Sequence, residues 1–255
     1  MRRAALTRFH LLALNTLFLC GAALMLKSVA LFVAVLIVYV VLLGLGVTFP
    51  QMKLFGPFVC KGKGDRREVS LTFDDGPDPR STPPLLDLLR DTKVQAAFFC
   101  VGKRVAAEPQ LAARIAAEGH LLGNHSYSHS NLTNFFTVAR LRDELARTQA
   151  VIQESAGATP RWFRPPMGLS NPRIFKAAHL LGLQVVGWMA RGLDTRTKNP
   201  QTVVNRIVRR LKPGAIILLH DGDVPSDRLV ITVKTLLDRV RALGYEVVRL
   251  DHLLS

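Results

Sequence analysis

Cysteine and negative charge are both scarce in this chain, and each shortage excludes something. Three cysteines, Cys20, Cys60 and Cys100, are spread over 255 residues. An odd, widely spaced set excludes a disulfide scaffold and a cysteine-rich zinc module, and it suits a reducing compartment. Only 19 Asp and Glu stand against 34 Lys and Arg, a net charge of +15. That excess implies an anionic neighbour: nucleic acid, acidic lipid or a phosphorylated substrate. No aromatic-studded basic stripe or recognition motif accompanies it, so nucleic acid is not expected as a partner. Internal repeats and low-complexity tracts are also missing. What the chain has in quantity is apolar residues, 49% of the total, ample for a core.

The longest apolar run extends from Leu11 to Phe49, broken only by Asn15-Thr16, Lys27-Ser28 and Thr48. As one helix it would reach about 58 Å, roughly twice the hydrocarbon thickness of a bilayer. Two spans, Phe9–Leu26 and Ser28–Phe49, meet the usual length of about 20 residues each, with Lys27-Ser28 at the tip of a hairpin. A cleaved signal peptide fits worse, because no small-x-small site follows the first run and a second long run comes next. Arg2, Arg3, Arg8, Lys27, Lys53, Lys61, Lys63, Arg66 and Arg67 oppose Asp65 alone, so residues 1–67 carry +8 of the +15. Basic residues at both ends of an even number of spans place residues 53–255 in the cytoplasm by the positive-inside rule. The alternative is a single tilted anchor with the domain outside. The expected partition is a membrane anchor over 1–50, a basic juxtamembrane linker over 51–67 and a catalytic domain over 68–255.

Beyond Glu68 short apolar segments alternate with amphipathic ones. Strands are expected at Val69–Phe73, Ala96–Val101, His120–Asn124, Trp162–Arg164, Gln184–Met189, Ala215–His220 and Glu246–Leu250. Helices are expected near Pro83–Arg90, Val105–Glu118, Val138–Ser155, Pro172–Leu181, Pro200–Leu211 and Leu229–Leu243. Asn171-Pro172 opens a helix, and Gly182 and Gly244 stand just past helix ends. Seven strands alternating with helices argue an α/β domain with a largely parallel sheet, a small or incomplete barrel rather than an eight-fold one.

Polar residues gather where the strands end, which is where such folds place their sites. Asp74-Asp75-Gly76-Pro77 follows the first strand and could be plain turn chemistry, or one carboxylate for a metal and one for a proton. His125 and His129, at i and i+4, would lie on one face of a helical turn and grip one ion; Asp75 would complete a two-His-one-carboxylate set with open positions. Zinc, iron and cobalt all suit it. Arg164-Pro165-Pro166-Met167-Gly168 ends the fourth strand on a rigid loop, and Leu218-Leu219-His220-Asp221 closes the sixth.

Together these residues resemble the polysaccharide deacetylases of carbohydrate esterase family 4, the NodB-homology fold, over about Glu68 to Leu250. The family boxes read here Thr72–Pro77, His125–His129, Arg164–Gly168 and Leu218–His220. The resemblance implies a distorted (β/α)7 barrel, preceded here by a transmembrane helical hairpin. It implies Asp74 as general base, Asp75, His125 and His129 as ligands of a divalent metal, most often zinc with cobalt, iron or nickel as substitutes, and His220 as general acid. Arg164 would orient Asp74, and Asp194 would tune His220. Met167 through its N–H, Leu218 in the acyl pocket, Tyr127 and Trp188 would form the substrate side. The fourth box departs from the pattern: Thr195 stands where the family has Trp, Arg191 where a second acid is often found, and Met167 replaces the usual aromatic.

The activity so implied is hydrolytic removal of an N-acetyl or other small acyl group from an amino sugar, with a bell-shaped pH profile. A cytoplasmic, membrane-tethered enzyme cannot reach finished wall polymer, so a polyprenyl-linked sugar is the expected substrate and membrane lipid the expected surroundings; no obligate protein partner is inferred. The competing readings are a deacetylase of extracytoplasmic polysaccharide such as peptidoglycan, a catalytically silent glycan- or lipid-binding module, and a non-haem iron oxygenase. The last leaves Asp74-Asp75 unexplained.

Overall fold

A computed structural model describes residues 7–255; Arg2 and Arg3, which enter the charge count above, lie outside the described residues. The chain starts with two antiparallel helices, α1 (Arg8–Met25) and α2 (Val29–Thr48), close to the two expected spans. Lys27, in the left-handed region at φ 51°, makes the turn between them, and the Ser28 hydroxyl caps α2 by accepting from the Leu31 N–H. Both helices are long and apolar enough to cross a membrane. Only Ala23 is buried in α1 and only Gly46 in α2.

The rest of the chain forms eight parallel strands wrapped by helices. They are β1 (Glu68–Asp74), β2 (Ala97–Cys100), β3 (Leu121–Asn124), β4 (Trp162–Phe163), β5 (Gln184–Val185), β6 (Ala190–Arg191), β7 (Ile216–His220) and β8 (Glu246–Val247). The order is β5-β4-β3-β2-β1-β7-β6, with β8 beside the start of β1. The sheet curls into a half-barrel whose end strands β5 and β6 do not pair. Alternation along the central strands separates two sides. Val69, Leu71, Phe73, Phe98, Ile217 and Leu219 join the main core, with Leu85, Leu86 and Leu89 of α3 (Thr82–Asp91). Ala97, Phe99 and Ile216 point inward, where Leu250 and Leu253 meet them.

Several boundaries differ from the sequence reading, each for a physical reason. The helix expected over Val105–Glu118 is two, α4 (Gly102–Ala107) and α5 (Pro109–Ala117), because Pro109 forces Glu108 out of the helical region. Helix α6 (Val138–Ala156) ends on Gly157 at φ 64°, and α7 (Pro172–Leu180) starts on Asn171, whose side chain accepts from the N–H groups of Arg173 and Ile174. Helix α8 (Pro200–Val208) has the same kind of cap at Asn199, and α9 (Ser226–Ala242) starts before the expected Leu229. The strand expected over Gln184–Met189 stops at Val185, and Val186 makes only an isolated bridge before the chain rejoins the sheet at β6. The strand expected over Glu246–Leu250 is two residues long and is followed by α10 (Leu250–Leu254), which carries Leu250 and Leu253 inward.

Part of the stretch expected as a juxtamembrane linker is built into the barrel. Phe58 is 1% exposed. Val59 bridges Val186 and Lys61 bridges Ala215, so this segment runs along the open seam between the two end strands. A Cβ at Gly187 would collide with the Phe58 ring, which explains why glycine stands there.

Candidate active site

The parallel register of β1 and β7 sets Asp74 directly beside His220 at the carboxyl ends of neighbouring strands. Asp74 and Thr72 point to the same side, and both meet Arg164. Arg164 Nη1 donates to Asp74 Oδ1 at 2.6 Å and to Thr72 Oγ1 at 2.9 Å, and Nη2 donates to the Gly187 carbonyl at 2.8 Å. The guanidinium is wholly buried and lies 4.1 Å from the centre of the Phe99 ring. A buried cation held on four sides fixes one oxygen of Asp74 and leaves Oδ2 turned toward the histidines, 3.8 Å from His125 Nε2.

Asp75 Oδ1 lies 3.3 Å from His125 Nε2 and 3.1 Å from His129 Nε2. The ligand atoms of these three residues fall within 4.8 Å of one another. The two histidines do not lie on a helical turn as expected: residues 125–130 form a loop, with Ser126 at φ 63° and His129 at φ 48°. Asn124 and Glu144 hold that loop. Asn124 Oδ1 accepts from the Ser126 N–H, while Glu144 Oε2 accepts from the N–H groups of Tyr127 and Ser128 and from the Ser128 hydroxyl. The donor set fits a divalent ion. Asp75 Oδ1 is buried without a hydrogen-bond partner, and His125 Nδ1 sits 2.6 Å from the Arg164 carbonyl, which leaves Nε2 as the free lone pair.

His220 is held by Asp194 twice, through its backbone N–H at 2.8 Å and through Nδ1 at 3.0 Å. Burial disfavours its protonated form, but the hydrogen bond and charge of Asp194, with Asp74 and Asp75 behind it, raise it to about 9. Burial also works against the Asp75 carboxylate, yet His125, then His220 and His129, outweigh it and pull Asp75 well below the usual range. Desolvation pushes His125 down, and the charges of Asp74 and Asp75 reverse that and raise it.

Asp74, Asp75, His125, His129 and His220 line a cavity of 290 Å³ together with Met167, Gly168, Trp188, Arg191, Leu193, Thr195, Arg196 and Leu218. A larger depression of 1010 Å³ around Gln95, His120 and Glu246 lies at the opposite ends of the strands, away from this chemistry. Left-handed backbone is concentrated at the site: Asp75, Ser126, His129, Met167 and Leu193 all have positive φ, a strained arrangement typical of functional loops. Gly168 is required because a Cβ would meet the Trp188 ring. Three expected site residues do not line the cleft: Arg164 and Asp194 lie behind Asp74 and His220, which they hold, and the Tyr127 ring lies under the Arg147 guanidinium at 3.8 Å. The sequence reading passed over Glu144, which sits mid-helix with no local signal, and Arg196 and Leu193, which a two-residue strand and a tight turn bring to the cleft. It also passed over the chemistry of Asp221, fully buried behind Asp75, whose carboxyl burial raises to about 7.

The polysaccharide deacetylase family model matches residues 61–186. The chain is 36% identical to a peptidoglycan-N-acetylglucosamine deacetylase of Bacillus cereus over 73% of this chain and 87% of that protein. It is 38% identical to a chitooligosaccharide deacetylase of Bradyrhizobium sp. over 70% of this chain and 82% of that protein. A crystal structure of a peptidoglycan N-acetylglucosamine deacetylase superposes with a TM-score of 0.73 at 31% identity, covering 77% of this chain and 92% of that one. A CE4 family pseudoenzyme from Bacillus anthracis superposes with a TM-score of 0.72 at 27% identity, covering 78% and 69%. Strand order, site geometry and relatives agree: the chain belongs to the polysaccharide deacetylase family, the NodB-homology domains of carbohydrate esterase family 4.

Proposed function

We propose that this protein is a zinc-dependent N-deacetylase of an amino sugar, held at the membrane by residues 1–50 and acting through residues 68–255 on a lipid-linked substrate. The observation that carries the reading is the meeting, in one cleft, of Asp75, His125 and His129 with the Arg164-bound Asp74 and the Asp194-bound His220. Asp75, His125 and His129 would hold a zinc ion, which would supply Lewis acidity and acidify water. Asp74, its carboxylate fixed by Arg164, takes the proton of the water that attacks the amide carbonyl. The Met167 N–H donates to the developing oxyanion, and Leu218 lines the space for a small acyl group. His220, kept protonated by Asp194, gives its proton to the departing amine. A silent binding module, suggested by the departures at Arg191 and Thr195 and by the likeness to a pseudoenzyme, leaves the intact acid, base and ligand trio without a purpose.

The lipid-linked substrate is supported by where the hairpin meets the cleft. The Ser170 N–H lies 3.4 Å from the Val47 carbonyl near the end of α2, and Gln51 Nε2 donates to the Trp188 carbonyl at 3.5 Å. A cleft held at the base of the hairpin reaches a sugar carried on a membrane lipid. The basic residues on both flanks of the hairpin favour the cytoplasmic face. Two measurements test this. Purified full-length protein in detergent with zinc releases acetate from polyprenyl-phosphate N-acetylglucosamine; zinc-loaded protein that releases none from this or from chitooligosaccharide refutes the deacetylase reading. Cys60 and Cys100 are buried, so sidedness is read from an introduced cysteine at the exposed Glu154 in a cysteine-free chain. Its labelling in intact cells by an impermeant thiol reagent would place the domain outside, with peptidoglycan the substrate.

A further inference from the structure

Two cations on the cleft wall have no part in the chemistry described above. Arg191 ends β6, and Arg196 lies on the turn that follows Asp194, whose backbone N–H donates to the Leu193 carbonyl. Both line the same 290 Å³ cavity as Asp74, Asp75 and His220. Both are exposed, and neither has a carboxylate within ion-pair distance among the described residues. Three neighbouring arginines are engaged: Arg164 holds Asp74, Arg104 holds Asp223, and Arg206 donates to Thr197 and Gly192. Arg191 lies beside the Trp188 ring at 5.6 Å, which limits where its guanidinium can go. Placing two unpaired guanidiniums together repels in the free protein, and an anion relieves that repulsion.

We infer that Arg191 and Arg196 form an anion subsite that takes a phosphoryl group on the anomeric carbon of the amino sugar. The inference rests on the deacetylase reading and names its substrate class. In a 2-acylamino sugar the anomeric carbon is bonded to the carbon that bears the amide. An anomeric phosphate therefore sits within side-chain reach of the catalytic centre. Guanidiniums match phosphate oxygens with paired N–H donors, so two of them can each take one non-bridging oxygen of a phosphodiester or share the charges of a monoester or diphosphate.

The test uses full-length, zinc-loaded protein in detergent with three acyl donors: N-acetylglucosamine 1-phosphate, N-acetylmuramic acid and chitotriose. The 1-phosphate is preferred in kcat/KM. R191A/R196A lowers its kcat/KM relative to chitotriose by about 100-fold, roughly tenfold for each charge-assisted contact, chiefly through KM, and Arg196→Lys restores part of the loss. Unchanged selectivity in the double variant, or a preference for the muramic acid or chitotriose, overturns the subsite. Should the protein release no acetate from any donor, the deacetylase reading fails, and calorimetry still decides the subsite. Glucosamine 1-phosphate then binds more tightly than glucosamine, and the double variant loses the difference. A difference that survives in the double variant puts the phosphate on the metal centre and overturns the inference.

Discussion

The hairpin and the barrel use the same apolar residue types in opposite ways. In the barrel, Phe73, Phe98, Leu219 and their neighbours are sealed from solvent, and polar groups occupy the strand ends. In the hairpin, Phe18 is 73% and Val29 is 76% exposed, and the apolar residues run around both helices with no core to receive them. A helix hydrophobic on all sides needs an apolar solvent. The half-barrel instead needs its residues sorted by face, and that sorting leaves a polar rim available for chemistry. Burial is supplied by the chain itself in the barrel, whereas the hairpin leaves its apolar residues exposed, as the proposed membrane anchor requires.

Substitutions can break this contrast from either side. The largest effects lie at the rim of the barrel. Asp74→Asn and His220→Ala each lower turnover by about 10²–10⁴-fold, the range of general acid–base catalysis, with metal content and membrane partition unchanged in elemental analysis and fractionation. Phe58→Ala, at the seam of the barrel, costs about 3–5 kcal/mol as a buried aromatic truncation, visible in denaturant unfolding. An independent linker over 51–67 would show no such loss. Ile37→Arg, at a position 59% exposed on α2, costs insertion about 2.5–3.5 kcal/mol on a translocon scale and depletes the membrane fraction. On a water-exposed helix the same change would stay within about 0.5 kcal/mol.

The smallest effect is a displacement along the pH axis. His220 is raised from 6.5 to about 9 against burial by its bond to Asp194. Because the folded value lies above the unfolded one, the pair stabilises the fold fully below 6.5, and the contribution fades as pH rises through about 9. The acid function fades over the same range. Asp194→Asn therefore moves the basic limb of the rate profile down from about 9 toward 6.5. A limb that stays in place would separate His220 from Asp194.

The site was legible in the sequence wherever its residues sit at strand ends beside their own motif. Asp74-Asp75, His125, His129, Arg164 and His220 all fall in one cleft for that reason. The helical turn expected for the two histidines was not found, because Asn124 and Glu144 bond the backbone into a loop instead; spacing alone cannot report a partner 16 or 17 residues away. The α10 plug was hidden for a related reason. Val247, Val248 and Leu250 read as one strand, and only burial inside the barrel shows where it ends. Phe58 and Val59 were read as linker since local composition there is basic. Their register with Val186 is set by the open seam, a tertiary feature. Arg191 was noticed as a departure from a pattern, whereas Arg196 became visible only when the turn after β6 brought it to the cavity.

The central claim is that Asp75, His125 and His129 hold the ion on which deacetylation depends, and elemental analysis coupled to acetate release tests it most directly. Purified full-length protein, its Asp75→Ala and its His129→Ala variants are dialysed against limiting zinc and assayed side by side. The account predicts one zinc per wild-type chain with activity that chelation removes and zinc restores, and loss of both in each variant with unfolding unchanged. Acetate release by metal-free wild-type protein, or stoichiometric zinc retained by inactive variants, would contradict it.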